Sequence, residues 1–101
     1  MTVRNLTNRY GRAIENQFVM WQDRMRSFQS YNSLIFSYDY TTKVATLYPD
    51  WDYSQTTSKH FKSFINSETP FSYDNKAQFT KDYIDSGLFV LENDPSNIRE
   101  W

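Results

Sequence analysis

The stretch Ile14-Glu15-Asn16-Gln17-Phe18-Val19-Met20-Trp21-Gln22-Asp23-Arg24-Met25-Arg26-Ser27-Phe28 decides the fold. Ile14, Phe18, Trp21, Met25 and Phe28 fall at helical spacing. Yet Phe18-Val19-Met20-Trp21 is a compact apolar run with the turn-like Asp23-Arg24 close behind it. A short apolar run is compatible with either period. The run followed so soon by a turn favours a strand over 16–22 that turns tightly into the next segment; a helix through 14–28 is the alternative.

Downstream, residues 27–38 read as strand. Phe28, Leu34, Phe36 and Tyr38 share one parity, and Tyr31 and Ile35 the other; rings and Ile suit a pleated surface. Asp39-Tyr40-Thr41-Thr42 reads as a turn and Val44-Ala45-Thr46-Leu47-Tyr48 as the returning strand, ended by Pro49, which cannot donate to a ladder. Upstream, Gly11 marks a turn near the first strand.

After Pro49 the period changes. Ser54 is an N-cap, because its hydroxyl can accept from an orphan N–H of a first helical turn. Thr57, Phe61, Phe64 and Ile65 then form one apolar stripe on a helix over 56–66, with Lys59 and Lys62 off the stripe. A second helix is expected over 75–86, capped by Asp74, with Phe79, Tyr83 and Ile84 inward and Gly87 as its left-handed stop. Leu88-Phe89-Val90-Leu91 reads as a last short strand. The expected order is β-β-β-α-α-β: an α+β domain, a small antiparallel β-meander with two helices packed on one face. Residues 1–91 form this single domain, and 92–101 read as a polar C-terminal tail.

Composition agrees with a folded domain built on rings. The chain of 101 residues has 8 Tyr, 8 Phe and 3 Trp, and each ring can bury the area of several aliphatic groups. With no cysteine, disulfides, zinc ribbons, thiol nucleophiles and iron–sulfur ligation are excluded, and one histidine leaves no His-rich metal site within the chain. No cofactor or metal is expected. The net charge of −1 is unevenly spread: five Arg in residues 1–30 meet only Glu15 and Asp23, whereas 71–101 carry six acids against Lys76, Lys81 and Arg99. That polarity suits an acidic partner at the N-terminal end. No apolar run approaches the roughly 20 residues that span a bilayer, and the first residues lack an apolar signal core, so no membrane association and a cytoplasmic location are expected.

Few residues form a chemical constellation. His60 is the only side chain that titrates unperturbed near neutrality. Ser54, Ser58 and Asp52 lie near it in sequence but form no triad pattern, so His60 reads as a helix-surface residue or a partner contact rather than a base. Asp50 and Asp52 could share a hard cation, but no third acidic ligand follows at loop spacing. The two glycines, Gly11 and Gly87, cannot write a phosphate-binding loop. Trp51-Asp52-Tyr53-Ser54 reads as a strand-to-helix corner, with Trp51 folding over the sheet edge and Tyr53 stapled against the first helical turn. Its exposed face, Trp51, Tyr53, Lys59 and His60, is the candidate partner-binding surface. The alternative is a nucleic-acid or nucleotide site using exposed aromatics with Arg4, Arg9 and Arg12; a pI near 5.7 and the lack of a basic stripe weigh against it.

Two segments carry a resemblance: Phe28-Gln29-Ser30-Tyr31-Asn32-Ser33-Leu34-Ile35 and Trp51-Asp52-Tyr53-Ser54-Gln55-Thr56-Thr57-Ser58-Lys59-His60, followed by Phe61-Lys62-Ser63-Phe64. With Asn8-Arg9-Tyr10-Gly11 and Asn16-Gln17-Phe18-Val19, they resemble a family of small, functionally uncharacterised proteins of bacteriophages and of Gram-positive bacteria carrying prophages. The resemblance covers about residues 5–66. It implies a β-meander followed by helices and transfers no catalytic residue. It also implies a non-enzymatic binding protein made in the host cytoplasm and acting on a host protein, with anti-CRISPR-like counter-defence inhibitors as the obvious class. Self-association to a homodimer is a further expectation, with a monomer as the alternative, because 19 aromatic residues exceed what a small interior hides.

Overall fold

The computed structural model describes residues 2–92. Six strands form one sheet in chain order: β1 (Thr2–Thr7), β2 (Ala13–Gln22), β3 (Met25–Ser30), β4 (Ser33–Asp39), β5 (Val44–Leu47) and β6 (Val90–Leu91). The first five are antiparallel neighbours, and β6 pairs with β5 in parallel, Thr46 opposite Val90. Between β5 and β6 come a 3₁₀ turn (Pro49–Asp52), helix α1 (Gln55–Glu68) and helix α2 (Lys76–Phe79), which widens into a π-helix over Thr80–Asp85. The α+β architecture read from the sequence is the one observed. The tail expected over 92–101 lies, beyond Glu92, outside the described residues.

The deciding stretch is strand. β2 begins at Ala13, three residues before the expected start, and hairpins into β3 across Asp23-Arg24 with Gln22 opposite Met25. A helix through 14–28 would have buried Ile14, Phe18, Trp21, Met25 and Phe28 together. In the sheet only Phe28 of these is fully buried, while Val19 and Met20, adjacent and on opposite faces, are buried instead.

Residues 27–38 are two strands rather than one. The turn is Tyr31-Asn32, with Ser30 opposite Ser33. The register then slips between Phe28, opposite Phe36, and Gln29, opposite Leu34, so Ile35 is an extra residue in β4. This bulge resolves the mixed parity. Ile35 and Phe36 both enter the core cluster, whereas Leu34 faces the other side with Gln29. Strand β1 carries no strand signature in its sequence: Leu6 is its one buried residue, on the same face as Arg4, which lies opposite Val19, and the register slips between Asn5 and Thr7.

Helix α1 follows its sequence signals closely. Ser54 is the N-cap, and its Oγ accepts from the Thr57 N–H at 3.1 Å. The buried residues are Thr57, Phe61, Phe64 and Ile65, the stripe read from the sequence. Phe64 stacks on Phe28 at 5.1 Å and meets Phe36 edge-on at 5.9 Å; Phe61 lies 6.2 and 5.8 Å from the same two rings. The cap of α2 is Asn75 and not Asp74: Asn75 Oδ1 accepts from Gln78 N–H at 2.9 Å. Phe79 is buried, and Tyr83 and Ile84 pack partly buried against the core, as expected. Gly87 has φ +78°, the left-handed stop. Only Val90–Leu91 of the expected 88–91 strand joins the sheet, while Phe89 inserts among Phe36, Phe71 and Tyr83.

The far end of α1 is tied to the sheet by polar groups. The Glu68 carbonyl accepts from Arg26 Nη1 at 3.0 Å and from the Tyr40 hydroxyl at 3.1 Å, so a side chain of β3 and one of the turn after β4 cap the helix. Burial raises the Tyr40 pKa, which keeps that hydroxyl a donor. The Glu68 carboxylate pairs with Arg4 of β1 and lies 3.7 Å from Arg26, whose guanidinium sits 3.3 Å over the Trp21 ring. Helix α1 therefore crosses the sheet at a fixed height, with a groove along its side and a pocket at its start.

Candidate functional site

The loop joining β1 to β2 stands beside the middle of α1. Its shape is set locally: Asn8 Oδ1 accepts from the N–H groups of Tyr10 and Arg12 at 2.9 and 3.1 Å, and Gly11 takes φ +78°. An Asx turn followed by a left-handed glycine pushes the intervening residue outward. Tyr10 is accordingly 73% exposed, with the Arg9 guanidinium 5.1 Å from its ring centroid.

Arg9 and Tyr10 face Lys59, His60 and Ser63 of α1 across a groove of about 610 Å³, with Asn8 and Ile14 completing its lining. None of these lining residues is acidic. Burial first, and the neighbouring Lys59 charge second, hold the His60 pKa below its ordinary 6.5. At neutral pH the groove thus presents two cations, Arg9 and Lys59, and an imidazole kept neutral as hydrogen-bonding surface. A second cleft of about 350 Å³ continues it along α1 past Ser67 to the Arg4–Glu68 pair.

The start of α1 carries a different pocket, of about 150 Å³. Ser30, Tyr31, Ser33 and Ile35 line it from the β3–β4 hairpin, and Asp50, Tyr53, Ser54 and Thr57 from the corner entering α1. The two segments singled out in the sequence, 28–35 and 51–60, meet here, with Asp50 one residue upstream of the second.

The residues expected to bind a partner are therefore divided. Lys59 and His60 lie in the basic groove, while Tyr53 lies in the pocket at the helix start. Trp51 is half-buried, 6.1 Å from Phe61 and 5.4 Å from Phe79, and serves to close the core. The expected Tyr53 staple is absent: the 3₁₀ turn continues into Tyr53 with helical angles, and the side chain is 80% exposed. Of the arginines, Arg9 joins Lys59 and His60, Arg4 is engaged by Glu68, and Arg12 is exposed in the loop. Nothing in the sequence marks Tyr10 and Ile14 as neighbours of the helix. An Asn-x-x-Gly turn around a ring was the one local hint, and Lys59 stands about 50 residues further on.

Each carboxylate of Asp50-Trp51-Asp52 has a partner within the fold: Ser33 Oγ donates to Asp50 at 3.1 Å, and Lys76 Nζ lies 2.6 Å from Asp52. Among the described residues no group of three or more His, Asp or Glu is placed to hold a metal ion, and no helix is long and apolar enough to cross a membrane. Residues 1–86 match a family of unknown function, DUF8033, and the chain belongs to that family. Neither a curated protein nor a solved structure matches it.

Proposed function

We propose that this member of the DUF8033 family is a non-enzymatic binding protein, encoded by a phage or prophage, that engages an acidic face of a host protein through the groove between the β1–β2 loop and α1. One observation carries this reading: Arg9, Lys59 and His60 converge from distant parts of the chain on one groove without an acidic lining residue, beside an exposed Tyr10. Arg and Tyr are the residues that most often anchor protein interfaces. Cations grouped in a concave surface also raise the encounter rate with an oppositely charged partner. The phage origin rests on the resemblance of the two motif segments, and an inhibitor of a host defence complex is the form such binding would take.

The test is capture from lysate of a Gram-positive host, run in parallel with wild type and the Arg9→Glu/Lys59→Glu variant. Both side chains are exposed, so the variant should melt with wild type. A host protein retained by wild type, lost by the variant and released by raised salt supports the reading. Identical captures by both proteins refute it.

A nucleic-acid reading keeps one favourable observation, the exposed Tyr10 ring beside Arg9. Against it, Arg4 is neutralised by Glu68. Phosphate-driven binding would show a steep loss of single-stranded oligonucleotide retention with salt and the same loss in Arg9→Ala.

A further inference from the structure

We propose that the pocket at the start of α1 is a binding site for a single neutral sugar ring. The basic groove plays no part in this assignment.

The lining residues set the chemistry. They include four hydroxyls from Ser30, Ser33, Ser54 and Thr57, one carboxylate from Asp50, two tyrosines and one apolar side chain, Ile35, with no cation among them. A phosphate or carboxylate ligand would meet the Asp50 charge with nothing to balance it. A ring bearing hydroxyls both donates and accepts, and its C–H face packs on aromatic surface. The volume, about 150 Å³, limits the occupant to a single small ring.

The hydrogen bonds already present leave capacity of both kinds. Ser54 Oγ donates to Thr57 Oγ1 at 3.3 Å, and Thr57 Oγ1 shares a 3.2 Å bond with Ser30 Oγ. Three hydroxyls joined by two bonds leave one O–H hydrogen over. Asp50 accepts from Ser33 through Oδ2, and a carboxylate has room for further donors.

The tyrosines supply the second argument. Tyr31 is 54% exposed and Tyr53 80% exposed, so neither ring contributes much to the core. Tyr31 also sits at φ +55°, in a two-residue hairpin loop where glycine or asparagine is the unstrained choice. A bulky residue in that conformation costs stability, and such strain is retained where it positions a side chain for use. Here it places a ring at the pocket margin.

The experiment is titration followed by NMR of the tyrosine rings. The probes are neutral monosaccharides and disaccharides, the neutral nucleosides adenosine and uridine, the free bases, and methylguanidinium. It is run on wild type, Tyr31→Gly and Tyr53→Ala, with melting recorded for each. Tyr31→Gly removes the positive-φ strain and Tyr53→Ala changes an exposed residue, so both should fold. The expected result is saturable shifts of the Tyr31 and Tyr53 signals with Kd on the order of 1–10 mM, as suits so small a ligand. Affinity should fall at least about tenfold in Tyr53→Ala at unchanged melting temperature. Response to saccharides alone assigns a glycan unit, and response to nucleosides but not bases assigns a ribose; both support the proposal. It is overturned by silence from every sugar and nucleoside, by binding that both variants retain, by response to free bases, or by methylguanidinium binding in place of sugars.

Discussion

Replacing Phe64 by alanine tests the packing of the whole domain. Phe64 is 0% exposed, stacked on Phe28 at 5.1 Å and edge-on to Phe36 at 5.9 Å. Truncating a buried Phe costs about 3–5 kcal/mol through lost transfer energy and the cavity left behind. Two ring contacts, each worth about 0.5–1.5 kcal/mol beyond area, place this site toward the upper end. For a domain of this size each kcal/mol moves the melting temperature by roughly 4–8 °C, so a fall of about 15 °C or more is expected. Against a total stability of about 5–15 kcal/mol, the variant should be largely unfolded at 37 °C if the protein lies in the lower half of that range. Circular dichroism melts of wild type, Phe64→Ala and Phe64→Leu decide it, with Tyr53→Ala as the exposed control, expected within about 0.5 kcal/mol of wild type. A Phe64→Ala shift of only one or two degrees would refute the assignment of α1's buried face.

Other outcomes follow from single contacts. Ser54→Ala removes the cap that accepts from Thr57 N–H, and urea unfolding should register a loss of about 1 kcal/mol, whereas Ser54→Asp should keep most of it. His60 has a folded pKa below 6.5, so the unfolded chain takes up the proton first as pH falls. Its contribution is intact above about pH 6.5 and is lost as pH drops through the lower folded value. Melting temperatures should therefore fall more from pH 7 to pH 5 in wild type than in His60→Gln; equal slopes would refute this. Self-association is expected through β1 and β6, the outer strands of the sheet among the described residues, and the exposed Leu88, Val90 and Leu91. Light scattering should show mass rising above one chain with concentration, and a constant single-chain mass would reject the dimer.

What the sequence made legible is what short-range physics determines. The α1 stripe is a property of one helix, its cap a property of one serine, and the turn at Asp39 a property of a carboxylate that accepts from Thr41 and Thr42 N–H. Strand β1 is hidden because Leu6 is its one buried residue and Thr2, Arg4, Asn5 and Thr7 around it are polar. The β3–β4 hairpin was hidden because Tyr31 occupies the positive-φ position that glycine or asparagine normally announces. At α2, Asp74 and Asn75 are both competent cap acceptors, and only the backbone path selects Asn75. The candidate sites lie furthest from sequence reasoning. Arg9 meets Lys59, and Ser30 meets Thr57, only after the sheet has placed the hairpins against the helix.

The parallel pairing of β6 sets a folding order. Strands β1 to β5 are joined by tight turns, so each hairpin closes a short loop and can form early. β6 reaches β5 only after roughly 40 residues of turn and helix have been laid across the sheet. It gains two residue pairs and the Glu92 N–H bond to the Leu47 carbonyl at 3.0 Å in return. Phe89 anchors the approach in the core, but the ladder itself is short for so long a closure, so β6 should be late to dock and early to open. In native-state hydrogen exchange the Val90 and Leu91 amides should exchange through local opening, well ahead of the β3–β4 ladder that reports global unfolding. Each such opening bares the edge of β5 while the rest of the domain stays folded.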